Sequence, residues 1–310
     1  MIQQTMENLE TVDVLVAGGG MSGIMAALAA KNPDNSVLIV EASNVLGGQG
    51  TSGGVAGFCG DTKRVNNPFQ DLVQRLSENN SIAEYHPNDD RRIYDLEWCA
   101  YFLQEMVMER NINVLLHSRV VDATAKNGVI RSVRITTAGE ELHCKPGFVI
   151  DATGVNIIPV RAGFPVVNEG VNRQLPMSLY FTLWDTGEKV EPYLPPGYPE
   201  WANEDEIPMT SLHFFPSGKV EVKMKVVGFD AADGLSLSRA EIFARKQMVA
   251  LIYFLQTHGY QGEKLDSHVL ASVSRSIGVR EQRRIIGEYV LTESDVKRAS
   301  VFEDGVAVGT

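Results

Sequence analysis

Gly18, Gly20 and Gly23 stand in the spacing G-x-G-x-x-G inside the stretch VDVLVAGGGMSGIMAALAA. An apolar run precedes them and an alanine-rich run follows. That context suits a diphosphate. Gly18 permits a tight turn, Gly20 leaves the space a side chain would take from a pyrophosphate, and Gly23 lets a helix pack closely on a strand. Met21 and Ser22 open the helix, whose N-terminal amides and partial positive charge favour an anion. Glu41 follows about 20 residues beyond Gly20, with Ala42 beside it, where a carboxylate is placed to accept bonds from ribose hydroxyls. A carboxylate there repels a 2′-phosphate and disfavours NADP. NAD and FAD both remain open on these residues.

The elements that hold these groups read as a βαβ opening. Val12–Ala17 and Ser36–Ala42 are apolar enough for buried parallel strands, and the run from Ser22 to Asn32 reads as the helix between them, stopped near Pro33. A glycine-rich stretch, LGGQGTSGGVAGFCGD, follows, and irregular segments of that length usually carry function. NPFQDLVQRLSENN reads as a helix. NDDRRIYDLEWCAYFLQEMVMERN reads as a longer one, capped by Asp89 or Asp90, with Ile93, Leu96, Ala100, Leu103 and Val107 as its apolar stripe. From Ile112 the period changes to two, with a hairpin at Lys126-Asn127-Gly128 and a buried strand FVIDA before Thr153. Beyond Gly154 prolines mark loops. PMSLYFTLWD and SLHFFPSGKVEVKMKVVGFD then read as strands of an antiparallel sheet. SLSRAEIFARKQMVALIYFLQTHGY is a helix, with Ser238 and Glu241 spaced as a capping box. HVLASVSRSIG and RRIIGEYVLT read as strands leading back to the first unit.

Three segments together resemble FAD enzymes of the glutathione-reductase-type fold. The first is the glycine loop with Glu41. The second, ASNVLGGQGTSGG, resembles the family's second fingerprint. The third, FVIDATG, resembles a strand ending in Ala-Thr-Gly beside the nucleotide. IGVREQRRIIGEYVLTESDV, Ile277 to Val296, resembles the return segment of the broad FAD-dependent oxidoreductase family, distantly similar to fumarate reductase flavoproteins. The resemblance runs from Asp13 onward. It implies FAD as cofactor, with Gly18, Gly20, Met21, Ser22, Gly23, Glu41, Ala42, Gly47, Gly48, Thr51, Ala152, Thr153 and Gly154 as its contacts. It implies an α/β chain: a Rossmann-type FAD-binding domain with a parallel sheet over residues 1–158, an inserted α+β substrate domain with an antiparallel sheet over 159–273, and a return segment over 274–310. Val155, Asn156 and Ile157 replace the acidic run that relatives often carry after Ala-Thr-Gly. Relatives also continue beyond the position of Thr310 with an element that closes the flavin site. The expectation is therefore either a truncated chain or a second polypeptide completing that site.

The resemblance makes the chain an oxidoreductase moving a hydride between a small organic substrate and flavin N5. Arg275, Arg280, Arg283 and Arg284 cluster between two expected strands. Arg280, after a Gly-Val turn, is the one expected to hold a substrate carboxylate or a negative charge on reduced flavin. The alternative is salt bridging with Glu281, Glu288 and Asp295. His213 could take a substrate proton, or be a core histidine. Tyr180 and Tyr289 are lesser candidates. Cys59 is expected as a small buried thiol, with a link to flavin as the alternative, and Cys99 and Cys144 as structural. No set of residues has metal-ligand spacing. The two other readings are a non-catalytic nucleotide-binding subunit and an NAD-dependent dehydrogenase.

Composition narrows the partners. The 310 residues carry 39 acidic against 28 basic side chains, a net −11 that repels nucleic acid. No apolar run is long enough for a membrane span, and the polar start lacks a signal sequence. Three widely spaced cysteines fit a reducing compartment, so the expected location is the cytoplasm.

Overall fold

The apolar run after Thr11 forms strand β1 (Thr11–Ala17), and the small residues after it form helix α1 (Met21–Ala30). These and all further coordinates come from a computed structural model, which describes residues 9–60, 62, 67–85, 91–215 and 217–305. Strand β2 (Val37–Val40) is buried at every position and pairs in parallel with β1. The register is anchored at the strand ends: the Asp13 carboxylate accepts the Ser36 N–H at 2.7 Å and the Ser36 hydroxyl at 2.8 Å.

Before the next parallel strand the chain makes an excursion through β3 (Gly57–Phe58), α2 (Asn67–Glu78), β4 (Ile82–Glu84), β5 (Arg92–Tyr94) and α3 (Leu96–Glu109). The stretch that reads as one long helix divides here. Arg92–Tyr94 is the centre of a small antiparallel sheet with β3 and β4. The helix begins only at Leu96, because the Asp95 carboxylate accepts the N–H groups of Glu97 and Trp98. Asp89 and Asp90 lie outside the described residues. Helices α1, α2 and α3 cover one face of the main sheet, burying Leu72, Leu76, Leu103 and Val107. Strand β6 (Asn113–Leu115) then pairs in parallel with β2.

Strands β7 (Arg119–Lys126), β8 (Val129–Thr136) and β9 (Glu141–Asp151) form an antiparallel meander. Its first turn places Asn127 at φ 54° and Gly128 at φ 74°, as a two-residue hairpin turn demands. Strand β9 changes partner along its length: Glu141–Cys144 pair with β8, and the part from Lys145 to Asp151 pairs in parallel with β1. The resulting sheet has the order β6-β2-β1-β9-β8-β7. Its second face packs Leu15, Val133, Ile135 and Cys144 against Ile158 of α4 (Ile157–Arg161). Among the described residues no strand pairs with the outer edge of β9 beyond Lys145, and Phe148 there is 75% exposed.

After β10 (Val166–Asn168) comes a second sheet, of β11 (Met177–Asp185), β12 (Thr210–Phe214), β13 (Lys219–Val226) and β14 (His268–Val273), in the order β12-β13-β11-β14. It is antiparallel throughout. Alternation gives it two different faces. Leu179, Phe181, Leu183, Val222 and Met224 pack on α5 (Gly234–His258). Tyr180, Thr182, Glu221 and Lys223 take the opposite face, which meets the first unit. Helix α5 starts a turn earlier than the sequence suggests. Asp233 caps it by accepting the Ser236 N–H at 2.6 Å, while the Ser238 hydroxyl donates within the helix to the Gly234 carbonyl. Strand β15 (Arg283–Ile285) pairs with β10 rather than adding to the six-stranded sheet, and α6 (Glu293–Lys297) follows it. Among the described residues no helix is long and apolar enough to cross a membrane.

Candidate functional site

The first loop closes only because two of its positions carry hydrogen. Gly18 has φ 98°, and a Cβ there would lie 2.4 Å from the Ala152 carbonyl oxygen; a Cβ at Gly23 would lie 2.0 Å from the Gly18 carbonyl oxygen. At Gly20 the situation is reversed, with nothing within 4 Å of a Cβ. The chain leaves open space in front of that backbone. The Gly47 N–H donates to the Gly19 carbonyl at 2.8 Å, so the Gly-Gly loop lies directly against the first one. Gly20 caps α1 without a side-chain bond, and the first turn holds no acidic residue. The positive end of the helix therefore meets the cleft, not a capping oxygen.

Of the residues predicted to hold a cofactor, Gly18, Gly20, Met21, Ser22, Glu41, Ala42, Gly47, Gly48, Ala152, Thr153 and Gly154 line one cleft of about 670 Å³. Gly23 and Thr51 do not line it. Gly23 packs α1 against the first loop. Thr51 is buried, donates to the Leu46 carbonyl at 2.7 Å, and opens on an adjoining cavity. The Glu41 carboxylate accepts the Gly19 N–H through one oxygen and the Ser43 N–H through the other, each at 2.7 Å. Each oxygen keeps a further lone pair for a ribose hydroxyl. Asp151 shapes the Ala-Thr-Gly turn by accepting from the Thr153 N–H, the Thr153 hydroxyl and the Ile158 N–H. The buried Tyr94 hydroxyl lies 2.9 Å from the Gly50 carbonyl and 2.8 Å from that of Val55, pinning the glycine-rich loop. This cradle, carboxylate and opening fit an FAD diphosphate and ribose.

The cleft also holds Ser43, Gln49, Ser52, Arg119 and Arg275, which sequence reasoning did not place there. Nothing local marks Arg119; the meander brings it in. Arg275 belongs to the arginine cluster noted in the sequence. Its N–H donates to the Ser52 carbonyl, and its guanidinium to the Asn44 side chain. The other three separate from it. Arg280 is exposed, forms no ion pair among the described residues, and acts electrostatically on Tyr180 and Lys225. Arg283 donates to the Ala232 carbonyl, and Arg284 pairs with Glu169 and Glu281.

A second cavity of about 220 Å³ adjoins the cleft, sharing Ser52 and Arg275 with it. Tyr180, Thr182, Glu221 and Ser272 of the antiparallel sheet form one wall, and Gly54 and Leu96 stand opposite. Burial pushes the Glu221 carboxyl up to about 8, against weaker pulls from the Ala56 N–H and Lys223. Burial, reinforced by Glu221, also raises Tyr180. His213 is buried directly across from Glu221 in the β12–β13 register, with its Nε2 3.2 Å from the Tyr85 hydroxyl. It lines neither the cleft nor this cavity. Tyr289 lies elsewhere, exposed, donating to Asp295. Cys59 is exposed rather than buried, because it follows the short β3 at the rim of the fold; Cys99 and Cys144 are buried. Among the described residues no cluster could hold a metal ion.

The fold is shared with solved flavoproteins. A geranylgeranyl bacteriochlorophyll reductase-like protein from Thermoplasma acidophilum is 18% identical, with a TM-score of 0.59 over 87% of this chain and 66% of that one. A myxobacterial chondrochloren halogenase, described as FAD-dependent, is 16% identical, with a TM-score of 0.57 over 88% and 64%. A p-nitrophenol 4-monooxygenase from Pseudomonas putida is 12% identical, with a TM-score of 0.55 over 89% and 69%. The chain thus spans about two thirds of the length of these structures. At such identities the likeness shows the Rossmann-type α/β fold alone. No curated protein matches the chain in sequence. Residues 13–310 match the profile of the FAD dependent oxidoreductase family, and the chain belongs to that family, with FAD as its cofactor.

Proposed function

We propose that the protein moves a hydride between a small organic substrate and FAD, with the substrate seated between the glycine-rich loop and the polar face of the antiparallel sheet. The observation that carries this reading is the 220 Å³ cavity that opens on the nucleotide cleft at Ser52 and Arg275. When bound, the flavin supplies the hydride acceptor or donor at N5. The chain's own residues do the rest. The first loop and the start of α1 hold the diphosphate, and Glu41 holds the ribose. Arg119 and Arg275 offset negative charge in the cleft. Tyr180, Thr182 and Ser272 offer hydroxyls that orient a substrate, while Leu96 excludes water. Arg280, whose charge reaches Tyr180, favours an anionic substrate group, while His213, across from Glu221 and lining neither cavity, does not touch the substrate.

The test is optical. FAD-loaded protein absorbs near ~450 nm, as oxidised flavin does. Anaerobic mixing with a panel of alcohols, amines and hydroxy acids should bleach that band with at least one member, and deuterium at the reacting carbon should slow the bleaching. If no member bleaches it, and no carbonyl or alkene acceptor reoxidises the chemically reduced protein, the reading fails.

The outer edge of β9 favours a second element of the same reading. That edge is unpaired beyond Lys145 among the described residues, beside the exposed Phe148. We propose that a strand from another polypeptide segment pairs there and completes the FAD site. Native mass measurement of the complex from source cells should show the added segment. Full FAD binding and turnover by this chain strictly alone would refute it.

A further inference from the structure

We propose that Glu221 is the proton donor of the substrate chamber, acting on a carbonyl oxygen of the bound molecule, and that the lobe behind it is the route by which it is reprotonated. The proposal rests on the reading of that chamber as the substrate site. Glu221 is only 4% exposed, yet it lines two cavities. One is the 220 Å³ chamber and the other a lobe of about 120 Å³. Both are also lined by Leu96, Glu97, Thr182 and Ser272, so the carboxyl group stands between two compartments of one space.

Its surroundings keep it uncharged. The one hydrogen bond it accepts among the described residues is a long one, 3.4 Å from the Ala56 N–H. No cation forms an ion pair with it among those residues. On its own strand Lys219 is committed to Asp95 at 2.8 Å, and Lys223 acts on it only electrostatically. From β12, His213 faces it and turns its Nε2 to Tyr85; from β11 and β5 come the phenols of Tyr180 and Tyr94. Glu97 stands at the start of α3, and Arg275 at the mouth of the chamber. A buried acid with no counter-ion stays protonated at neutral pH, and the carboxyl titrates near 8. Such an acid donates a hydrogen bond where a carboxylate can only accept.

In the transfer, the carboxyl O–H bond breaks and the proton joins the ligand oxygen, leaving a carboxylate. The proton is restored from solvent. The rear lobe exceeds the ~30 Å³ of one water, and its lining includes the partly buried Asp95–Lys219 pair.

Infrared titration of the whole protein tests this without turnover. A protonated-carboxyl band present at pH 7 should vanish with a midpoint near 8 and shift within seconds of transfer to heavy water. It should be missing in Glu221→Gln and unchanged in Glu97→Gln. In the FAD-loaded protein, Glu221→Gln should slow reoxidation by a carbonyl acceptor about 100-fold and remove its pH dependence near 8. No Glu221 band at pH 7 overturns the donor, and a band that resists heavy water overturns the rear route. A correct band in a protein whose flavin reacts with nothing sinks the function but not the proton site.

Discussion

Glu41 holds two backbone amides with one carboxylate, and its remaining lone pairs are free for the ribose hydroxyls it is proposed to hold. Glu41→Ala therefore strips a charged acceptor from both the loop and the ligand. FAD affinity should fall about 10- to 100-fold, the worth of one to two such bonds, as read by quenching of flavin fluorescence on titration. Glu221 makes a different prediction, because its proton couples to folding. Its folded value, about 8, lies above the ordinary 4.5. As pH rises through that interval the unfolded chain releases the proton and the folded chain keeps it, so stability falls from pH 4.5 to 8 and then levels. Glu221→Gln carries no such proton. Urea unfolding at pH 5 and pH 8 should show the variant gaining on the wild type by at most about 4 kcal/mol. A gap that does not change with pH would mean that the carboxyl is already ionised in the fold. Glu221 was not singled out from the sequence; the signal available was that it is the one acid among Lys219, Lys223 and Lys225 on alternate positions of a strand. Its burial was not legible, since the loop that covers it comes from more than 160 positions away.

The glycine-rich loop is close-packed backbone with few side chains of its own. Tyr94, at the end of β5, holds it through the Gly50 and Val55 carbonyls. Tyr94→Phe keeps the ring and leaves those oxygens without their donor. It should cost about 1–3 kcal/mol, seen as a lower Tm, and should weaken FAD binding by loosening the Gly47-Gly48 loop against Gly20. A Tm change with unaltered FAD affinity would separate the loop's stability from its role in the site. This staple is invisible locally. The stretch around Tyr94 has the apolar spacing of a helix, and a helix from Arg91 would have placed the hydroxyl elsewhere. Pairing of Arg92–Tyr94 with β3 and β4 outweighs that propensity, and Asp95 then caps the helix from Leu96.

Both units contribute to the cleft, since Arg275 and Ser276 follow the last strand of the antiparallel sheet. FAD should therefore stabilise the molecule as a whole. At a hundred times its Kd it should add about 2.7 kcal/mol, raising one cooperative melting transition. Gly18→Ala, which forces a Cβ to within 2.4 Å of the Ala152 carbonyl, should abolish that shift. Two separate transitions, only one of them moved by FAD, would mean that the units fold independently. The sequence by itself determined the nucleotide end of this protein. A diphosphate loop, its acid and the βαβ unit around them are local, because turn geometry and strand burial are dictated by neighbours within about 30 residues. Tertiary structure alone decided the end proposed to take the substrate. Which arginine reaches the cleft, and which acid loses its water, depends on two sheets meeting across residues far apart in the chain, and no local pattern encodes that meeting.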